Sequence, residues 1–91
     1  MDGEWWVLID EVRGFGDGRE RTLSHTERAG SREAASALAL DLAHRYVPAY
    51  PWALRSRQVF RVAPDSYVVV AHGHTSTFDF QVRVGELLAE E

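Results

Sequence analysis

Residues 4–13, EWWVLIDEVR, are rich in aromatic and β-branched side chains and alternate with a period of two. Trp5, Val7 and Ile9 fall on one side, and Trp6, Leu8 and Val12 on the other, broken by Asp10. This composition predicts a strand, and two largely apolar faces place it inside a sheet rather than at its rim. Gly14-Phe15-Gly16-Asp17-Gly18 supplies the positive φ values that a reversal needs. The mostly polar Arg19–Thr26 segment suits an edge strand, whose charges discourage edge-to-edge aggregation, so 4–27 reads as a β-hairpin.

The period then changes. Ala35, Leu38, Ala39, Leu42 and Tyr46 recur at helical spacing and predict a helix over 31–47. Ser31 is its N-cap, Glu33 sits in the first turn where the helix dipole favours an anion, and Pro48 ends it at Val47. After the connection 48–56, PAYPWALRS, strands are predicted at Gln58–Ala63, Tyr67–His72 and Ser76–Val84. Pro64-Asp65-Ser66 and Gly73 mark the reversals between them. In the last strand Phe78, Phe80, Val82 and Val84 take one face, and Thr77, Asp79, Gln81 and Arg83 the other. Residues 85–91 are expected to close the chain with a short helical turn or to fray.

The order β-β-α-β-β-β, with that short final α, predicts an α+β fold as one domain over 1–91. It is a two-layer sandwich, a mainly antiparallel sheet of four or five strands with one long helix on one face. One helix covers one face only. Yet strands 4–13 and 67–72 are apolar on both faces, and if adjacent they leave an exposed apolar patch. Self-association through that face, with Trp6, Leu8 and Tyr67 as candidate residues, is therefore expected.

Composition narrows the class. The 91 residues carry a formal charge of -4, with 45% hydrophobic residues and no cysteine. No disulfide framework, thiolate zinc site or cysteine nucleophile can form. Asp2, Glu4, Asp10 and Glu11 interrupt any apolar run near the start, so a signal peptide is not expected, and a soluble cytoplasmic protein is. All ten basic residues are arginine, asparagine is absent and Ile9 is the sole isoleucine, residue usage typical of a high-GC bacterial coding sequence. Mild acidity argues against general nucleic-acid binding but leaves room for a local basic patch.

The candidate chemistry is sparse. The Gly14–Gly18 loop follows a strand but lacks the helix N-terminus and Lys-Ser/Thr pair of a phosphate loop, so a hairpin turn is favoured. His72-Gly73-His74 is the only close histidine pair, with Asp79 across the predicted hairpin, yet no full ligand set is specified. A polar turn, no metal and no cofactor are expected. Asp10 and Glu11 point to opposite faces of a strand and make no acid–base pair. No serine sits in a strand–turn–helix elbow, and an enzyme is not expected. Arg55, Arg57 and Arg61 form the one local excess of positive charge, beside Tyr50, Trp52 and Phe60. Arginines interleaved with aromatics suit single-stranded nucleic acid or an anionic protein patch, while a solvated strand-edge charge row is the simpler reading. A non-enzymatic protein-interaction module is thus the leading expectation, and a nucleic-acid-binding accessory protein the alternative.

Two resemblances bear on this. From residue 31 onward the order α-β-β-β-α resembles the double-stranded-RNA-binding domain, which reads phosphates with a lysine-rich cluster opening its last helix. The matching segment here, Val84-Gly85-Glu86-Leu87-Leu88, is acidic, so the resemblance does not extend to the residues that bind. The WWVLIDEV opening, the Ala-rich helix and the FDFQVRVGELL ending are similar to small single-domain actinobacterial proteins of uncharacterised function, a likeness that implies no activity.

Overall fold

The computed structural model describes residues 3–13, 20–49 and 53–91. Its elements are β1 (Glu4–Arg13), β2 (Glu20–Ala29), α1 (Arg32–Arg45), β3 (Ser56–Ala63), β4 (Ser66–His72) and β5 (Thr77–Leu87). The strands form one antiparallel sheet in the order β2-β1-β5-β4-β3, with α1 packed on one face. The α+β class, the interior position of β1 and the edge position of β2 are as the residue pattern predicts. The Gly14–Gly18 turn lies outside the described residues.

The helix is capped as expected. Ser31 is extended, and its Oγ accepts from the Ala34 N–H at 3.0 Å. The last helical residue is Arg45, short of the predicted Val47, because Tyr46 already turns to ψ 131 ahead of the extended geometry that Pro48 imposes on Val47. On the exposed side Arg45 pairs with Asp41 one turn earlier. That hydrogen bond holds the Asp41 carboxyl below its ordinary pKa. Toward the sheet, Ala35, Ala39, Leu42 and Ala43 are buried, with Leu38 and Tyr46 partly so. Three of those four buried side chains are methyl groups, which let the helix axis approach the sheet closely. The bulk of the core then comes from the strands: Val7, Ile9, Tyr67, Val69, Phe80 and Val82. Ala43 is the buried helix residue that the predicted stripe omits.

The C-terminal helical turn expected over 85–91 is absent. β5 instead runs on to Leu87, paired along β1 from Glu11↔Phe80 to Glu4↔Leu87, and 88–91 carry no regular structure. The long β1 offers an unpaired ladder that continues the strand, and the backbone groups of 85–87 are satisfied there. Two ladders carry a bulge. Between Ile9 and Asp10 the β1 partner jumps from His25 to Leu23, which leaves Ser24 as the extra residue on β2. Between Arg61 and Ala63 the β4 partner moves by a single residue, which leaves Val62 extra on β3. The β3–β4 reversal is the tight Pro64-Asp65 turn, and Asp65 takes a φ of 58, the one positive φ among the described non-glycine residues.

Candidate functional site on the open sheet face

Strand register assigns each side chain to a face. Trp5, Val7, Ile9 and Glu11 of β1 look toward α1, as do Phe78, Phe80 and Val82 of β5 and Tyr67, Val69 and Ala71 of β4. Among the described residues no helix lies over the opposite face. It carries Trp6, Leu8, Asp10 and Val12 from β1, Thr77, Asp79, Gln81, Arg83 and Gly85 from β5, and Val68 and Val70 from β4. Of the predicted self-association residues, Trp6 and Leu8 lie here half-buried. Tyr67 does not join them: it is 4% exposed, in the core on the helix side. The odd residues of β4 share that face, and the alternation of two apolar rows gave no means of choosing between them.

The two strands with apolar residues on both faces are not neighbours. β5 separates β1 from β4 and inserts its polar row between them. That row is knitted into the centre of the face. Arg21 donates to Asp10 at 3.2 Å and pairs with Asp79, and Arg83 donates to Asp10 at 3.1 Å. Burial opposes the charge on Arg21, but its hydrogen bond to Asp79 and the charges of Asp79 and Asp10 outweigh this and hold its pKa above the ordinary value. Apolar surface flanks the network on both sides. On one side a recess of about 280 Å³ is lined by Trp6, Leu8, Thr26, Gly85 and Leu87, with the acidic Glu86 and Glu90 also on its wall. Gly85 makes room there, since a Cβ would approach Leu8 Cδ1 to 3.1 Å. The Trp6 indole N–H is buried with no hydrogen-bond partner among the described residues. On the other side Val68 and Val70 are half-buried beside Phe60, which is 47% exposed.

The arginine cluster divides. Arg57 and Arg61 share the helix-side face of β3, while Phe60 points to the other face. Arg57 donates to the Ala43 carbonyl at 3.2 Å, where a cation complements the helix C-terminus, and its guanidinium lies 6.0 Å from the Phe80 ring. Desolvation lowers its pKa from the usual arginine range. Arg61 lies 5.7 Å from the Tyr67 ring, and Arg55, before the strand, is exposed. Tyr50 and Trp52 fall outside the described residues. The histidine pair does not converge either: His72 Nε2 meets Gln58 Oε1 at 3.0 Å and Nδ1 meets Thr77 Oγ1 at 3.4 Å, while His74 is exposed in the turn. Among the described residues no group of three potential ligands could hold a metal ion.

Sequence reasoning misses the most buried charged group among the described residues. Glu11 is 2% exposed, on the helix side of β1. Its Oε2 accepts from the Tyr46 hydroxyl and the Ser24 hydroxyl, both at 2.5 Å, and its Oε1 accepts from the Ala49 N–H at 2.7 Å. The Tyr46 ring in turn contacts those of His25 and Phe80. One carboxylate thus joins β1, the β2 bulge, the helix end and the chain that follows it. The available signal was an acid in the inward register of Val7 and Ile9, facing a tyrosine at the end of the helical stripe.

No helix among the described residues is long and apolar enough to cross a membrane. No protein-family model matches the chain, and no curated protein or solved structure shows significant similarity to it.

Proposed function

We propose that this chain is a non-enzymatic protein-interaction module of the cytoplasm that docks through the sheet face opposite its helix. The observation that carries this reading is the layout of that face: Trp6, Leu8, Val68, Val70 and Phe60 leave apolar surface on both sides of an ion-paired centre, while the single helix covers the other side. Half-exposed aromatic and aliphatic groups around a compensated polar network suit a protein surface better than a small solute. Glu11, the buried carboxylate, is engaged by Tyr46, Ser24 and Ala49 of its own chain, which favours a positioning role over acid–base chemistry. Nucleic-acid binding through Arg55, Arg57 and Arg61 has less support, because Arg57 is tied to the helix end and Phe60 faces away from the arginines.

The test is site-specific photo-crosslinking in cells that produce the chain at its natural level. A photoreactive side chain at Leu8 should yield an adduct of defined mass that the second substitution Phe60→Arg removes. The same group at Ala37, exposed on the helix, should yield none. Equal labelling at the two positions, or none at either, overturns the proposal.

A further inference from the structure

We infer that the occupant of the open face is a second copy of this chain, stacked face to face about a two-fold axis that runs across the strands. The inference rests on the interaction-module reading and names its partner. Register places Leu23, Asp10, Gln81, Val68 and Phe60 in one row, one residue from each of the five strands. The two ends of that row are among the most exposed large apolar side chains described, Leu23 at 56% and Phe60 at 47%.

A two-fold axis lying in the interface along this row puts each strand over its own copy with the direction reversed. Residues on the row then meet themselves, and residues on either side of it exchange places. On β5, the central strand, Arg83 stands two residues to one side of Gln81 and Asp79 two residues to the other. Each Arg83 therefore comes over Asp79 of the second copy, and the pairing occurs twice. On β1, Leu8 and Val12 flank Asp10 in the same way and meet one another. Leu23, Val68 and Phe60 each bury apolar surface against their own copies. Asp10 also meets itself, but each carboxylate is already held by Arg21 and Arg83. The two carboxylates thus lie among four guanidinium groups, so the like-charge contact is compensated.

The size fits. Five strands at about 4.8 Å spacing and ten residues of strand give a face of roughly 800 Å². A stable interface of standard size buries roughly the same area on each partner. The product is a β-sandwich with sheets about 10 Å apart and within about 30° of parallel, the helices on its two outer surfaces.

The chain contains no cysteine, so a single engineered thiol reports one position. Leu23→Cys and Phe60→Cys lie on the axis, and each should be joined to its own copy by a short bis-maleimide, which spans the gap between the sheets, about tenfold or more faster than Leu40→Cys on the exposed helix surface. Sedimentation from about 1 to about 100 µM should show mass rising toward the dimer, and Phe60→Arg should raise the dimer dissociation constant about tenfold or more with an unchanged circular dichroism spectrum. A monomeric mass up to about 100 µM, or axis thiols that crosslink no faster than the helix control, overturns the two-fold pairing. Failure here is distinguishable from failure of the interaction module: a Leu8 crosslink to a protein of different mass removes the second copy and keeps the module, whereas no crosslink removes both.

Discussion

Glu11 offers the sharpest test of how this fold is held together. Glu11→Ala removes the common acceptor of the Tyr46 hydroxyl, the Ser24 hydroxyl and the Ala49 N–H. A buried donor left unmatched costs about 1–3 kcal/mol; Tyr46 and Ser24 are partly buried, Ala49 is exposed, and Ser24 keeps the Ile9 carbonyl at 3.3 Å as a second acceptor. The carboxylate's own desolvation opposes this, so the net loss falls below the sum, at about 2–3 kcal/mol. For a domain of this size that is a fall of at least about 8 °C in melting temperature. It is also a large share of a total stability on the order of 5–14 kcal/mol. Glu11→Gln separates geometry from charge. The amide carbonyl can keep the Ala49 bond while the NH2 donates to both hydroxyls, which rotate to accept. Its expected cost is about 1–2 kcal/mol. The assay is urea unfolding followed by tryptophan fluorescence, with the slope checked for constancy so that midpoints report stability alone. Glu11→Ala within about 0.5 kcal/mol of the parent would refute the anchoring role. Glu11→Gln as damaging as Glu11→Ala would refute the hydrogen-bond geometry.

Two further outcomes follow from the packing and the turn. Leu42→Ala should cost about 2–5 kcal/mol by chemical denaturation, toward the upper end because its helix neighbours facing the sheet, Ala35, Ala39 and Ala43, are too small to fill the space. A midpoint unchanged by that truncation would mean that the helix does not use this face. At Asp65, with its φ of 58, glycine should be neutral or stabilising by up to about 1 kcal/mol, whereas valine should cost about 1–2 kcal/mol. Equal stability of the two variants would show that the turn relaxes out of the left-handed region.

The elements were legible because their signals are local. Ser31, the Ala-Leu stripe and Pro48 delimit the helix within two residues, and the alternation of Phe78, Phe80, Val82 and Val84 fixes which face of β5 is dry. Strand order was not legible, because it depends on pairing between distant segments. β5 lies between β1 and β4, and nothing in either apolar strand announces that neighbour. From that one fact follow both the polar centre of the open face and the burial of Tyr67. The end of β5 departs from its local signal for a related reason: Gly85-Glu86-Leu87 has weak strand propensity, and the waiting ladder of β1 overrides it. The sequence shows Glu11 only as the opposite-face neighbour of Asp10, because the donors described on it come from positions 24, 46 and 49, far along the chain.

The bulges at Ser24 and Val62 reach beyond local geometry. They fall on β2 and β3, the two outer strands of the sheet. A regular outer strand presents an even row of N–H and C=O groups on which a further strand can be laid, and repetition of that step has no natural end. A bulge breaks the row and increases its twist, so an incoming strand loses register partway along. With both borders interrupted in this way, lateral growth into fibrils is disfavoured at either side. The face-to-face contact proposed above would be saturated by one partner, which would limit assembly to a finite size.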